Sequence, residues 1–550
     1  MKKLFALIIS AVVLTTSVSA LLTGCKAPDA VAEDKEIDVN DLPSKFNLRN
    51  AGGKNYVTPV KSQKWGDCWS FSLAGSAEIA YLYANDMGVP SGKVNDQVDF
   101  SEKYIVWYMF HGITQDDVAK GKVRASQAGE GFDLSEDEKT DEMTAYNIGG
   151  PFVHDANLYG SGFGPVDESV SVKGELPYAY NDDSSVGWQL PLTAEYRNAP
   201  VTALFRDGNI LPSPSSTDEQ GKYKFNQEGI DAIKSELYQG HGVSLAINTS
   251  NPGFIPANLA AYYDGDEDAD HAVTVVGYDD DYSKENFVER DKNGKITKGS
   301  LPPGDGALII KNSWGIVDSE EDGYIHMSYY DHGICSPLSY VFDNNKTAKH
   351  TERNYDQYDL MMTQWYGTTE YEDETKTANI FDAEQDGKLY QIEYRTSFPG
   401  AEVSYEIYKN VDENDPSSGA LLEKGVRSHK YSGSHVIDLK NEYELKKGDR
   451  YSVVLTVKHG EAYAEVFPYS TQFFNRMKVK GIVNEGESFL YKDGKWSDMT
   501  EAKDSLIDRA YQQCAENIKS NKALPDIELD KKTFAIDNYP IKAIYAPSGE

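Results

Sequence analysis

The rhythm of hydrophobic and polar positions changes twice along this chain. Behind Lys2 and Lys3, residues 4–22 are mostly apolar. From Trp69 onward, "WSFSLAGSAEIAYLYANDMGVP" is apolar or small on nearly every face until Gly88 and Pro90, which predicts a helix enclosed within a domain. Ala272–Val276, closed by Gly277, and Ala307–Ile310 are short unbroken apolar runs that read as buried strands. Past about residue 350 apolar and polar positions alternate, as in Tyr390, Ile392 and Tyr394, in Val403, Tyr405 and Ile407, and in Tyr451, Val453, Leu455 and Val457. Turn clusters such as "NDPSSG" and "LKKGDR" punctuate them, which predicts an antiparallel β-sandwich.

Length supports the division. A chain of 550 residues exceeds what one hydrophobic core ordinarily serves, so two domains are expected: a mixed α+β one over residues 42–345 and the sandwich over 355–550. Acidic residues outnumber basic ones, 88 to 54, giving a net charge of -34 that argues against nucleic acid or anionic lipid head groups as the main partner. At the N-terminus, charge followed by an apolar run is the order of an export signal. It ends in Leu22, Thr23, Gly24 and Cys25, which resemble a bacterial lipobox. The resemblance implies that residues 1–25 are a signal peptide, that Cys25 carries a diacylglyceryl group, and that residues 26–41 are an acidic tether. No later run of about 18 apolar residues would span a bilayer. The expected location is therefore the outer face of the cell membrane, held by acyl chains alone.

Setting Cys25 aside, three of the four cysteines remain. Cys514 falls at helical spacing with Ile507, Ala510, Tyr511 and Ile518 and reads as a small core side chain. Cys335 has no neighbourhood that points to chemistry. Cys68 stands at the mouth of the predicted helix, in "SQKWGDCWSFSLAGS", with Asp67 as its expected N-cap. The free amides and dipole at that end favour an anion and hence a thiolate. His271 heads the first buried strand, and Asn312 follows the second in "IIKNSWG". Singly, such residues are commonly a satisfied core histidine and a turn asparagine. Together they offer a thiol, a base to take its proton, and an amide to orient the base.

At this point the chain resembles the papain-like cysteine peptidases, through "VTPVKSQKWGDCWSFS", "DHAVTVVGYD", "IIKNSWG" and the following "EDGYIHMSYYD". The resemblance implies a helical lobe and a β-rich lobe with a cleft between them. It also implies Cys68 as nucleophile, His271 as general acid and base, Asn312 as its orienter, and Gln63 as an oxyanion donor. Trp314 would cover the His271–Asn312 bond, and Gly149 and Gly150 would let a peptide substrate approach. No metal or cofactor is implied. The region past residue 355 resembles the lectin-like domain that follows bacterial members, through "SGALLEKG", "HVIDLKNEYELKKGDRYSVVL" and "SFLYKDGKWSDM", which makes a glycan or cell-wall partner an expectation by analogy, with Trp365 or Trp496 stacking on sugar rings or belonging to the core.

The chain departs from that pattern in several places. Four residues separate Gln63 from Cys68, one fewer than usual, which strains the oxyanion role more than the nucleophile. His271 and Asn312 lie 203 and 244 residues beyond Cys68, against roughly 130–150 in shorter members, so insertions are expected at 115–142, 207–224 and 283–306. The last contains Asn293 and Gly294, a hairpin signal. The stretch of about sixteen residues before Leu42, acidic in balance and poor in apolar side chains, cannot fold into a long inhibitory propeptide, so the enzyme is expected to be active as made or restrained by an insertion. The acids at 264, 266, 268 and 270 fail the EF-hand pattern and read as a solvated loop that raises the pKa of His271. Two other readings stay open, a thiol amidase acting on peptidoglycan and a retired peptidase scaffold serving as an adhesin.

Overall fold

The computed structural model describes residues 37–548, except 121–122, 135–146, 148, 151–154, 170–191, 218–221, 250–252, 316–322, 360–364, 369–373, 459–465, 471–476 and 521–528. The expected lipidation residue, Cys25, lies outside the described residues, as does the side chain of Trp365. Four helices matter here: α1 (Cys68–Ala84), α2 (Glu102–Met109), α3 (Gln227–Tyr238) and α4 (Met499–Ser520). The strands of the N-terminal half are β1 (Phe205–Ile210), β2 (Val243–Ile247), β3 (His271–Asp279), β4 (Ala307–Lys311), β5 (Tyr324–Ser328) and β6 (Cys335–Phe342). Those of the C-terminal half are β7 (Asn354–Asp356), β8 (Glu374–Asp382), β9 (Gly387–Thr396), β10 (Ala401–Lys409), β11 (Ala420–His429), β12 (Ser432–Leu445), β13 (Arg450–Lys458), β14 (Ser488–Lys492), β15 (Lys495–Asp498) and β16 (Ile541–Pro547).

The fold is mixed α+β, as the periodicity predicts. Helix α1 is buried nearly all round because it is wedged between α2 and the sheet. Its close seat on β2 and β3 depends on small side chains. Ser72 Oγ donates to the Val273 carbonyl at 2.6 Å, Thr274 Oγ1 donates to the Ser72 carbonyl at 3.0 Å, and a Cβ on Gly75 would come within 2.9 Å of Thr274 Oγ1. The helix stops at Ala84, before Gly88, where Asn85 caps it and Asp86 takes a left-handed φ of 51°.

In the C-terminal half, one face of each of two sheets meets the other. The six-stranded sheet runs β11-β10-β13-β8-β14-β15 and turns Val403, Tyr405, Ile407 and Val453 inward. They meet Ile392, Tyr394, Ile437 and Ala543 of the facing strands, with α4 closing one side through Ala510 and Cys514. Alternating burial along β10 shows the period of two that the sequence carries.

The facing sheet does not end at the sandwich. Its order is β7-β16-β9-β12-β1-β6-β2-β3-β4-β5, so β12 of the C-terminal half pairs antiparallel with β1 of the N-terminal half, Ser432 opposite Ile210 and His435 opposite Asp207. Strand β1 belongs largely to the 207–224 stretch expected as an insertion. Likewise Gly131–Leu134, inside the 115–142 stretch, pairs with Met477–Lys480. The third stretch forms the expected hairpin, Val288–Arg290 against Ile296–Gly299, with Gly294 at a φ of 82°.

Candidate active site

Sheet register brings the candidate residues to one end of the N-terminal half. In the β3–β4 ladder Thr274 lies opposite Lys311, so His271 at the start of β3 and Asn312 just past β4 emerge side by side. His271 Nε2 lies 2.8 Å from Asn312 Oδ1, and the same oxygen accepts the Ser313 amide at 2.7 Å. An oxygen that accepts both makes Nε2 the protonated nitrogen of neutral His271 and leaves Nδ1 as the basic one. Continuing the register places Trp314 beside His271, and the rings stack with centroids 4.5 Å apart. Trp314 is 50% exposed, so the His271 ring is covered on one face by a side chain that itself meets solvent.

Cys68 is the first residue of α1, and its thiol lies against the backbone amide of Ala272, the residue after His271. Burial dominates its ionisation and pushes the thiol from 9.0 up to about 12, against the Ala272 amide, which favours the thiolate. Burial also holds His271 below its ordinary value, although Asn312 and Asp270 act the other way. The acidic loop was expected to raise His271; Asp270 does pull in that direction, and desolvation outweighs it. Neither group is therefore easily charged alone. An opposite charge beside either group favours its charged form, so thiolate and imidazolium form more readily as a pair than singly.

Gln63 is held by the loop that carries Asn312. Its amide donates to the Ser313 carbonyl at 2.7 Å, its Oε1 accepts Ser313 Oγ at 2.6 Å, and its Nε2 donates to the Trp65 carbonyl at 2.8 Å. Next to it Gly315, at a φ of 76°, donates its amide to the Lys61 carbonyl at 3.0 Å. The shortened loop to Cys68 is thus tightened around the Gln63 side chain. Gly150 lies on the ring of the fully buried Trp69, where a Cβ would sit 2.3 Å from a ring carbon, and Gly149 takes a φ of 80°. Asn147 in the same segment accepts the Gly66 amide at 3.2 Å. Gly150 thus packs on helix α1, and Asn147 on the loop that precedes it.

Asp67 does not cap α1 as expected. It stands at the N-cap position with no side-chain cap bond, and its carboxylate is wholly buried. Sequence reasoning also missed the charges under the site. Lys61 Nζ lies 3.0 Å from Glu78 Oε1 of α1 and 2.7 Å from Glu102 Oε1 of α2, and it also pairs with Asp99. Lys311, one residue before Asn312, donates to Thr58 at 2.8 Å, and Thr58 in turn binds Glu78. This network ties the Gln63 and Asn312 segments to the catalytic helix. Glu78 was the available signal, since a lone charge on an otherwise apolar buried helix requires a partner.

The loop acids before His271 are engaged in holding the loop. Asp270 Oδ1 accepts the Thr249 amide and hydroxyl, both at 2.8 Å. Among the described residues the acids that do converge are Asp99, Glu102 and Glu168, beside the Lys61 ammonium, and Glu130, Asp359 and Asp537, where Arg395 lies 3.1 Å from Asp359. Cys335 and Cys514 are not joined in a disulfide, and Cys514 is buried within the sandwich core. Trp496 covers a small apolar cluster on the outer face of the six-stranded sheet and donates Nε1 to Ser417 Oγ at 3.0 Å, which suits the core reading of that side chain better than sugar stacking.

Comparison with known proteins places both halves of the chain among known domains. Residues 211–343 match the papain family of cysteine proteases and residues 355–511 the lectin-like domain. The solved cysteine protease and lectin-like domains of Cwp84, a surface layer associated protein of Clostridium difficile, are 18% identical and align over 92% of this chain and 89% of that one with a TM-score of 0.61. At that identity the likeness is one of fold. Serine-repeat antigen protein 5 of Plasmodium falciparum is 28% identical over 241 residues, 39% of this chain and 22% of that protein. The chain thus spans under a quarter of that relative's length. Cysteine proteinase 2 of Dictyostelium discoideum is 26% identical over 328 residues, 55% of this chain and 69% of that protein. Residues 211–343 thus form a papain-family cysteine protease domain and residues 355–511 a lectin-like domain, on a fold shared along most of the chain with the cysteine protease and lectin-like domains of Cwp84.

Proposed function

We propose that this protein hydrolyses peptide bonds as an endopeptidase on the outer surface of a bacterial cell, tethered through acylated Cys25. The observation that carries the reading is the tautomer of His271. With Nε2–H committed to Asn312, Nδ1 is the nitrogen able to take the Cys68 proton. The thiolate then attacks the scissile carbonyl carbon. Negative charge on the carbonyl oxygen is met by the Cys68 amide at the start of α1 and by Gln63 Nε2, turned from Trp65. The imidazolium returns its proton to the leaving amine, an acyl-enzyme remains, and His271 deprotonates the water that hydrolyses it. Gly149 and Gly150 border the substrate backbone, and the C-terminal half holds a protein or cell-wall glycan near the cleft. The surface location rests on the Lys2–Cys25 pattern and on the surface-layer association of the fold relative.

Labelling by a peptidyl epoxide, followed at a protein-fluorescence-independent mass readout, tests the core of the proposal. Cys68 of the parent is expected to label and a quenched peptide to be cleaved. His271→Ala is expected to lower both rates by about 10⁴ or more. Equal labelling of the two proteins would refute the proton-transfer pair.

A further inference from the structure

Asp67 directly precedes Cys68, and its surroundings are unusual. The residue is 0% exposed, and neither carboxylate oxygen has a hydrogen-bond partner among the described residues. Its helix amides are not used, because Asp67 Oδ atoms do not cap α1 and Ser70 bonds the Asp67 carbonyl instead. The ionisable groups around it are Cys68 on one side and Glu102 of α2 on another, the latter bound to Lys61. Across the site on β3 stand Asp270 and His271, and Asp270 also acts on Cys68. A charged carboxylate would be buried there without a cation of its own, since Lys61 is shared among Glu78, Asp99 and Glu102.

We propose that Asp67 is a positioning residue for charge: sealed beside Cys68 as a neutral carboxyl in the working enzyme, it sets the alkaline limit of activity by ionising and opposing the thiolate. This deepens the proposed reading of Cys68 as nucleophile and rests on it. Burial, with a smaller push from Glu102, raises the carboxyl from 3.8 to about 8, against the nearby Asp67 and Trp65 amides, which lie close enough to favour the charged form but not in hydrogen-bonding geometry. The charge acts most strongly where it is nearest: Asp67 directly precedes Cys68 and raises its thiol, while His271 stands across the site at the start of β3. Ionised Asp67 therefore penalises sulfur more than it favours the imidazolium, and the proton returns to the thiol. No bond to Asp67 forms or breaks in this scheme; it loses one proton to solvent.

The test is the pH profile of kcat/KM on a quenched peptide, with epoxide labelling of Cys68 at the same pH values, for the full chain, Asp67→Asn and Asp67→Ser. The parent is expected to lose activity on an alkaline limb near pH 8. Both neutral variants should move that limb upward by a unit or more and leave the acid limb in place. At pH 9 each variant's activity, scaled to its own value at pH 6, should exceed the parent's by about tenfold. Two variants of different volume guard against a packing effect in either. Alkaline limbs that superimpose in all three proteins, with Cys68 labelled, overturn the role of Asp67 alone. A parent whose Cys68 does not label at any pH overturns the nucleophile reading itself.

Discussion

Two joints run through this molecule, and they are made of different interactions. Between α1 and β3 the contact is through side chains: Ser72, Gly75 and Thr274 let a helix settle on a strand, and Cys68 and His271 emerge at its end. Between β1 and β12 the joint is a backbone ladder. It is closed by the stacked rings of His429 and His435, centroids 3.7 Å apart, with His435 Nδ1 3.2 Å from Asp207. The first joint keeps charge beneath it, paired as Lys61 with Glu78 and Glu102. At the second, burial drives both histidines from 6.5 to about 3, so they are neutral at physiological pH. The first joint gathers its ionisable groups into a paired network. The second leaves its histidines neutral and relies on main-chain bonds, with Arg206 of β1 paired to Asp438 of β12.

The comparison breaks first, and furthest, at the catalytic joint. Gln63→Ala is expected to lower kcat/KM by about 10²–10³, the usual cost of one oxyanion donor, while leaving Cys68 alkylation by iodoacetamide intact. Equal loss of alkylation would show that Gln63 only braces the loop through Ser313. A second test lies at the ladder. Gly433 has a φ of 136°, and a Cβ there would lie 1.9 Å from the Gly208 carbonyl oxygen. Gly433→Ala should cost about 2–4 kcal/mol of stability, measured by denaturant unfolding, with the folded fraction retaining its turnover per labelled Cys68. A drop in that turnover would mean that the two joints are mechanically coupled.

The smallest expected effect is in the acid range and follows from the histidine pair. The folded protein holds both below their ordinary value, so the unfolded chain binds more protons as pH falls. Their contribution to stability is complete above about pH 6.5 and is lost progressively as pH falls toward 3. Thermal unfolding of His429→Gln with His435→Gln should depend less on pH across that window than the parent. Identical slopes would remove the pair from the account of the seam.

The site was more legible than the framework around it. Cys68, His271 and Asn312 stand in short motifs whose neighbours, a buried helix and two unbroken apolar strands, are themselves local patterns. Strand β1 was not legible. "FRDGNI" contains Asp207-Gly208, which reads as a turn, and lacks apolar alternation. It is a strand because its polar side chains find partners far away, Arg206 on Asp343 and Asp438 and Asp207 on His435. Asp67 was misread for a related reason: capping propensity described its position, while packing sealed the carboxylate away from the amides.

Chain order alone carried the alternating strands of the sandwich, the buried helix and the motifs that hold Cys68, His271 and Asn312, because periods of 2 and 3.6 and short motifs are properties of neighbours along the backbone. Tertiary structure decided which strand joins the halves, which cation meets Glu78 and Glu102, and that Asp67 and the two seam histidines lose their charge. Those outcomes depend on desolvation and on partners hundreds of residues away, and both exist only once the chain has packed.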